Sequence, residues 1–413
     1  MHDQPLVSIV TPSYNQARFL GQAVESVLAQ DYPHIEYLVL DGGSTDGSVE
    51  ILRAHEDRIA HWVSQPDAGQ ASAINRGWQR SRGQILAWLN SDDRYEPGAV
   101  SAIVEAFRRH PEVGVVTGDC RVIDGHGATV KDLPSGVGGL YALLAGNSLP
   151  QQGVFCRRQA VAAAGWLDAS LDCVFDWALW LKLELLGARF HHLPRVVASF
   201  RVWGDSKTAS GTVGASLSGG IRFARERFRV LTGLVVDPAP ARDPARQELI
   251  RAAWLGGMLE MGLLHRIQAE PDRAAGYLAQ FTKQAPETLE TLPFPQALAA
   301  HLAYVEEDIE ALVDDFVEEL ARHRRGSGAA AHPEGWRREL LAETYLVRAW
   351  NASHHRDQLG ASGLFLRAVA AQPLLALQRR VASPAIKALF KTPFAGRGAA
   401  TRRLPFRAGE RQT

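Results

Sequence analysis

The chain has 413 residues, of which 46% are hydrophobic and 22% charged, and its 45 basic and 45 acidic side chains give a formal net charge of zero. This composition is typical of a globular protein, and a chain without net charge has no general attraction for nucleic acid or membranes. The length indicates two or three domains. No apolar run approaches the ~18 residues of a membrane span, and no signal peptide precedes the first predicted strand. Three cysteines without metal-type spacing favour a reduced, cytoplasmic protein.

Strands and helices alternate regularly in the first part of the chain. Short apolar runs predict strands at 6–11, 35–40, 59–64 and 85–89, and apolar residues at helical spacing follow each of them. Regular alternation of this kind predicts a parallel sheet with right-handed crossovers. Each strand ends in a polar or glycine-containing turn, and these turns must lie at one edge of the sheet. We therefore expect a binding crevice assembled from four loops.

The fourth predicted strand ends at two adjacent carboxylates, Asp92 and Asp93. Two neighbouring acids repel each other unless a cation or the donors of a ligand neutralise them. Carboxylate oxygens suit Mg²⁺ or Mn²⁺, ions that commonly hold a diphosphate. The alternative is that the two residues only cap the helix that begins near Pro97.

After residue 113 the pattern changes to less regular elements. A hairpin is predicted at 121–130, a polar loop at 147–153, and further strands at 154–156, 188–193 and 197–202. From about residue 211 the composition shifts to Ala, Leu, Arg and Glu with helical periodicity. The clearest predicted helices are 247–264, 274–282, 296–323 and 336–353. Three regions are predicted: an α/β domain at 1–210, a helical region at 211–330, and a helical hairpin with a basic tail at 331–413.

The tail from residue 374 onward carries nine basic residues against one acidic residue, Glu410. Apolar residues recur on one side of its predicted helix, and an amphipathic basic helix suits an anionic membrane surface. The alternative is a frayed, solvated terminus.

Five segments, in order along the chain, resemble the family 2 inverting glycosyltransferases of the GT-A fold, which include bacterial enzymes of surface-polysaccharide assembly. These segments are VTPSYNQ at 10–16, DGGSTDG at 41–47, DAGQASAINRG at 67–77, WLNSDD at 88–93 and DWALWLKL at 176–183. The resemblance covers residues 6–210. It implies a Rossmann-like, mostly parallel α/β sheet with flanking helices, here followed by an all-α C-terminal region.

The resemblance implies an inverting transfer of a sugar from a nucleotide-diphosphate donor to a hydroxyl acceptor, expected to be a polysaccharide or a lipid-linked glycan. Asp41 would accept a hydrogen bond from the nucleobase, with a turn-forming role as the alternative. Two of the matching residues have structural alternatives: Asp67 would cap the helix that follows it, and the Asn75 side chain would satisfy the hydrogen-bonding groups of a loop. The positions that match the family's donor-binding segments are Thr11, Pro12, Tyr14, Asp41, Asp67, Gly69, Gln70, Asn75, Asn90, Ser91 and Arg201.

The resemblance also assigns the catalytic and metal-binding residues. Asp176 matches the general base, and its alternative is a carboxylate favoured by the helix dipole. Asp92 matches the acid that ligates Mg²⁺ or Mn²⁺, whereas Asn90 replaces the first acid of that motif. Relatives often carry a metal-binding His near residue 203, where this chain has Trp203, so one metal ligand is missing. Arg201 and Lys207 remain as positive charges that can meet phosphate.

Two interpretations stay open at this point. Asn90 and Trp203 are also compatible with a catalytically weakened nucleotide-sugar-binding or scaffold protein of glycan assembly.

Acceptor recognition is expected in 147–153 and in the helical half. The expected partners are the nucleotide-sugar donor and the glycan acceptor, and no nucleic acid is expected to bind. The basic tail would contact the inner face of the membrane. Trp177 and Trp180 can be sugar-stacking platforms or, as one-turn spacing favours, core residues.

Overall fold

The computed structural model describes residues 4–204, 217–239, 241, 243–267, 270–284 and 309–326, together with positions 337–338, 340–342, 344–345 and 367. The chain divides into two compact units, Met1–Pro333 and Glu334–Thr413. The three-region division predicted from composition stays a prediction. Lys207 and the basic tail lie outside the described residues, as does most of the predicted C-terminal hairpin.

The first half of the sheet follows the predicted alternation closely. Its strands are β1 (Val7–Ser13), β2 (Ile35–Asp41), β3 (His61–Ser64) and β4 (Ile85–Trp88). The helices that connect and follow them are α1 (Ala17–Leu28), α2 (Ser48–Arg53), α3 (Gln70–Arg80) and α4 (Ala99–Arg109). The strands are all parallel and lie in the order β3-β2-β1-β4. Their carboxyl ends therefore meet at one edge, as the sequence predicts.

The second half makes the sheet mixed. It contains β5 (Arg94–Tyr95), β6 (Val115–Ile123), β7 (Thr129–Leu133), β8 (Val154–Arg157) and β9 (Phe190–Arg201). The order continues from β4 through β8, β6 and β9 to β5, with β7 paired to β6. Strand β8 is antiparallel to both β4 and β6, whereas β9 is parallel to β6. A parallel first half joined to a second half with antiparallel strands is the GT-A arrangement that the resemblance implies.

Two details differ from the sequence prediction. The strands expected at 188–193 and 197–202 form one strand, β9, whose pairing with β6 shifts register around Asp119. Because these shifts absorb the irregularity at 194–196, the chain continues without leaving the sheet. The short strand β5 and helix α5 (Leu140–Ala145) were not predicted, since two and six residues are too few to show a period.

Alternating residues of the central strands divide the core between the two faces of the sheet. On β4, Leu86 and Trp88 point to one face while Ile85 and Ala87 point to the other, as a two-residue period requires. Helix α6 (Arg158–Ala163) follows β8, and α7 (Phe175–Leu185) comes next along the chain. The first face also buries two tryptophans of α7, which are at most 1% exposed. These are Trp177 and Trp180, so the core alternative for this pair is confirmed.

The helical region begins with α8 (Leu217–Val236), α9 (Pro244–Ile267), α10 (Pro271–Gln284) and α11 (Ile309–Gly326). Leu231 of α8 and Ile250 of α9 are buried in the same core cluster as the residues of α7. The first helices after the sheet domain are therefore packed onto it and share its core. In the part of the chain that the structure describes, no helix is long and apolar enough to cross a membrane.

Candidate active site

A first cavity of about 580 Å³ opens at the carboxyl ends of β1, β2, β3 and β4. Most of the predicted donor-binding residues contribute to its wall. Those that do are Pro12, Tyr14, Asp67, Gly69, Gln70, Asn90 and Ser91, joined by the predicted metal ligand Asp92. Loops that are distant in sequence thus converge on one crevice, as the strand-end motifs predict.

Gly42 lines this cavity between the side chains of Tyr14 and Asp67. A Cβ atom at this position would stand 3.3 Å from Cδ2 of Tyr14 and 3.4 Å from Oδ2 of Asp67. Glycine therefore leaves a narrow space between an aromatic ring and a carboxylate. Tyr14 is 63% exposed, so much of this residue is accessible to a ligand.

Four predicted donor-binding residues, all in the described part of the chain, lie beside this cavity and not in its lining: Thr11, Asp41, Asn75 and Arg201. The Thr11 hydroxyl is buried and accepts a hydrogen bond from the Tyr37 hydroxyl at 2.9 Å. The Asn75 amide donates to the carbonyl of Leu167 at 2.9 Å and accepts from its backbone N–H at 3.1 Å. Asn75 thus makes the contacts of its structural alternative, which is to satisfy a loop.

Asp41 is 2% exposed and its carboxylate binds its own loop. It accepts hydrogen bonds from the backbone N–H groups of Gly43 and Ser44 and from the hydroxyls of Ser44 and Ser64. These bonds are those of the turn-forming alternative, and they fix the loop that carries Gly42 into the cavity. Direct contact of Asp41 with a nucleobase stays a prediction.

The two adjacent acids that follow β4 have different environments. Asp93 is 1% exposed and accepts hydrogen bonds from the Asn90 amide (3.1 Å), the Gln152 amide (2.8 Å) and the Arg201 backbone N–H (2.8 Å). Burial, reinforced by the charge of Asp92, raises the pKa of the Asp93 carboxyl well above its usual value. Both acids contribute to the lining of the cavity, but the Asp93 carboxylate is occupied by internal donors, whereas Asp92 is partly exposed.

Arg201 was predicted as a phosphate contact, but its guanidinium is engaged within the protein. It donates to the carbonyl of Asp92 at 2.8 Å, to the carbonyl of Asp124 at 3.2 Å and to the side chain of Gln22 at 2.8 Å. Since Arg201 is also only 1% exposed, it serves in this structure as a clamp on the loop that carries Asp92. Its contact with phosphate stays a prediction.

Asp92 is the one carboxylate of this pair placed to hold a metal ion. Burial raises the pKa of its carboxyl, while a hydrogen bond of 3.1 Å from the Trp203 indole N–H opposes that shift. The described residues contain no group of three or more His, Cys, Asp or Glu side chains that could hold a metal. A single carboxylate still fits Mg²⁺ or Mn²⁺ when a diphosphate and water complete the coordination. Trp203, which stands where a His ligand was expected, instead orients Asp92.

Asp176 lies in the first turn of α7 and lines a second cavity of about 750 Å³. Its carboxylate accepts hydrogen bonds from the Asn147 amide (2.8 Å) and from the Trp177 backbone N–H (2.7 Å). Burial raises the pKa of Asp176, and these two donors oppose the shift by stabilising the carboxylate. A carboxylate with a raised pKa is a stronger base than an exposed aspartate.

The two cavities adjoin, because Gln70, Asn90 and Phe200 line both of them. An amide chain runs along this boundary: the Gln70 side chain donates to Asn90 at 2.8 Å, and Asn90 donates to Gln151 at 3.2 Å. Gln151 in turn donates to the backbone carbonyl of Trp88 at 2.8 Å. Asn90 thus links the two sides of the site, a task for which an amide, as donor and acceptor, is better suited than the usual carboxylate.

Sequence reasoning missed part of the second cavity. It identified 147–153 but not Phe200, Phe223 or the segment 133–136, which also contribute to the lining. Phe200 could have been found from its position at the end of a strand. Phe223 had no distinguishing signal, because it is one apolar residue of a long helix.

The mixed strand order and a crevice at the parallel strand ends define a GT-A glycosyltransferase fold. Residues 8–134 match the family model described as glycosyl transferase family 2. An uncharacterized glycosyltransferase of Mycobacterium tuberculosis is 33% identical over 190 residues, covering 45% of this chain and 71% of the relative. The chain belongs to glycosyltransferase family 2.

Two further proteins extend the comparison. Chondroitin synthase of Escherichia coli is 29% identical over 200 residues, which cover 46% of this chain and 28% of the synthase. The crystal structure of Staphylococcus aureus TarS aligns with a TM-score of 0.54 at 15% identity, over 78% of this chain and 55% of TarS. The chain thus spans about half of TarS and less than a third of the synthase, and the likeness to TarS concerns the fold.

Proposed function

We propose that the protein transfers a sugar from a nucleotide-diphosphate donor in the first cavity to a hydroxyl group of an acceptor in the second, with inversion at the anomeric carbon. The observation that carries this proposal is that Asp92 and Asp176 line adjoining cavities with a shared boundary. The nucleoside would lie against Tyr14 and Gly42, beside Asp67. The diphosphate would lie near Asp92, and the sugar would reach the boundary at Asn90.

The reaction proceeds as a single displacement. As the acceptor oxygen forms its bond to the anomeric carbon, Asp176 takes the proton of the acceptor hydroxyl. The bond between that carbon and the diphosphate oxygen breaks, and the nucleoside diphosphate leaves with the electron pair. Asn147 fixes Oδ2 of Asp176 through its hydrogen bond of 2.8 Å, and the backbone N–H of Trp177 fixes Oδ1 at 2.7 Å, so the carboxylate is held in one orientation. General-base assistance of this kind contributes about 10²–10⁴ in rate.

A bound Mg²⁺ or Mn²⁺ would offset the negative charge that develops on the departing diphosphate. Asp92 would hold this ion, with its carboxylate oriented by the Trp203 indole at 3.1 Å and its backbone held by Arg201. Titrating Mn²⁺ into chelator-treated protein tests the assignment. The half-activating concentration is expected to rise at least tenfold in Asp92→Asn, and an unchanged value would exclude Asp92 as the ligand.

The second cavity combines aromatic and amide groups. Phe175, Phe200 and Phe223 supply apolar faces, and Gln151 and Gln152 supply hydrogen-bonding groups. None of the described residues that line it is Lys or Arg. Apolar ring faces beside a few directed polar groups suit a sugar ring, so we propose a glycan acceptor, either a polysaccharide or a lipid-linked glycan.

The experiment that tests this function is a donor screen. UDP-, GDP- and dTDP-sugars are incubated with the protein and Mn²⁺, and the released nucleoside diphosphate is measured, while thermal shift reports donor binding. Turnover that is lost in Asp176→Asn with donor binding retained supports the proposal. Binding without turnover for every donor and acceptor would favour the scaffold interpretation, to which the Trp203–Asp92 hydrogen bond also lends support.

We further propose that the protein acts at the inner face of the membrane, because its basic tail suits anionic lipid headgroups. Cosedimentation with phosphatidylserine vesicles should decrease when the arginines of the tail are replaced by glutamine. Equal cosedimentation of the two proteins would exclude this role for the tail.

A further inference from the structure

Helix α8, the first helix after the sheet domain, contacts the turn that precedes the proposed base Asp176. The Glu226 carboxylate accepts hydrogen bonds from three consecutive backbone N–H groups in that turn. The Oε2 distances are 3.1 Å to Asp172 N, 2.8 Å to Cys173 N and 3.2 Å to Val174 N, and Oε1 lies 3.0 Å from Asp172 N.

These three N–H groups lie directly before helix α7. Val174, in the position preceding the helix, has no side-chain group that could cap it. A carboxylate at the N-terminal end of a helix is favoured by both the helix dipole and the unsatisfied N–H groups. Glu226 supplies this carboxylate from an element about fifty residues further along the chain. The start of α7, and with it Asp176, is thus held in place by the helical region.

Two further contacts show that this face of α8 is fitted to the turn. Arg222 pairs with the Asp172 carboxylate at 2.9 Å, and Arg229 donates to the carbonyl of Ser170 at 2.8 Å. Residues 222, 226 and 229 are four and three positions apart, so they lie on one face of the helix. Phe223, next to this row, lines the second cavity. The same helix therefore supports the base and forms part of the wall beside it.

We propose that Glu226 is a positioning residue for Asp176, which makes α8 part of the catalytic unit. The inference rests on the proposed function, because it takes Asp176 to be the general base. Glu226 acts through the backbone of 172–174 and sets where the first turn of α7 places the carboxylate. A misplacement of about 1 Å at a reacting group can lower a rate about 10²-fold.

The test compares Glu226→Ala and Glu226→Gln with Arg225→Ala, a control at an exposed position on the same helix. Amide hydrogen exchange measures the turn directly and needs no substrate. In Glu226→Ala, exchange at 172–174 should become at least tenfold faster. Exchange in the sheet should not change, and Arg225→Ala should resemble the wild type. Glu226→Gln keeps a neutral acceptor and should be intermediate.

Kinetics supply the second readout. We expect kcat to fall about 10- to 100-fold in Glu226→Ala while KM for the donor stays within about twofold, because the donor cavity is untouched. Partial recovery of kcat in Glu226→Gln is also expected. Unchanged exchange at 172–174 together with unchanged kcat would overturn the proposal. A parallel loss of stability, donor affinity and kcat in both Glu226 variants would overturn it as well.

The outcome separates this proposal from the proposed function. If the wild type turns over none of the donors, the function is wrong, while faster exchange in Glu226→Ala still shows that Glu226 holds the turn. If Asp176→Asn is inactive but Glu226→Ala behaves like the wild type, the function stands and the positioning role does not.

Discussion

The first cavity, the proposed donor site (here the donor cavity), and the second cavity, the proposed acceptor site (here the acceptor cavity), are built in different ways. The donor cavity is lined largely by loops at the ends of β1, β2, β3 and β4, so its residues occur in short contiguous motifs. The acceptor cavity gathers 133–136, 147–152, 172–173, 175–176 and Phe223 of α8. The first kind of site is determined by strand ends, whereas the second depends on packing between distant elements.

The two sides also differ in how their carboxylates are held. On the donor side, Asp41 and Asp93 each accept several internal hydrogen bonds and are almost fully buried. On the acceptor side, Asp176 is only half-buried and is held by Asn147 and by its own helix. Substitutions of these buried donor-side carboxylates should therefore mainly lower stability, and substitutions on the acceptor side should mainly lower the rate.

The largest effect is expected for Asp176→Asn. An amide cannot take the proton of the acceptor hydroxyl, so kcat should fall by about 10²–10⁴ while donor binding is retained. Initial rates of nucleoside diphosphate release, with donor binding measured by thermal shift, check this expectation. Asp57→Asn, at an exposed position outside both cavities, is the matched control. Wild-type turnover in Asp176→Asn would place the base elsewhere.

Arg201→Leu tests whether Arg201 stabilises the loop that carries Asp92 at the donor cavity. The substitution leaves the carbonyls of Asp92 and Asp124 without their buried donor, which should lower the free energy of unfolding by about 3 kcal/mol. Urea denaturation measures the change, with the exposed Arg53→Leu as the control. A variant as stable as the wild type but with much weaker donor binding would instead support the phosphate contact predicted from sequence.

The pH dependence of kcat tests how the surroundings of Asp176 set the pKa of the proposed base. Burial raises the pKa of Asp176, and since the base must be ionised, kcat should fall with decreasing pH at values above those of an ordinary aspartate. Asn147→Ala removes a donor that stabilises the carboxylate, so the pKa should rise further and the acid limb should move to higher pH. A limb that moves to lower pH, or not at all, would show that Asn147 does not act on the ionised base.

The smallest effect is expected for Tyr14→Ala. Tyr14 is 63% exposed at the rim of the donor cavity, and loss of a stacking face should raise KM for the donor about 2- to 10-fold with little change in kcat. Tyr141→Ala is the control, because Tyr141 is 61% exposed but lines neither cavity. Equal KM values for the two variants would remove Tyr14 from the donor site.

The strand-end motifs allowed most of the donor side to be predicted, but not the direction of each side chain. A motif fixes where Asp41 and Arg201 stand along the chain, whereas long-range partners such as Ser64 and Gln22 decide that they point inward. The acceptor side could be predicted from the sequence less completely than the donor side. Glu226 is one of many acids in a helical region, and only packing reveals that it binds the turn before Asp176.

The configuration of the product tests single displacement by one base most directly. Proton NMR of the reaction mixture at early times gives the anomeric configuration of the newly transferred sugar, before any equilibration. We predict that an α-linked donor gives a β-linked product. An α-linked product would require a second displacement or a different geometry, and it would contradict the role assigned to Asp176.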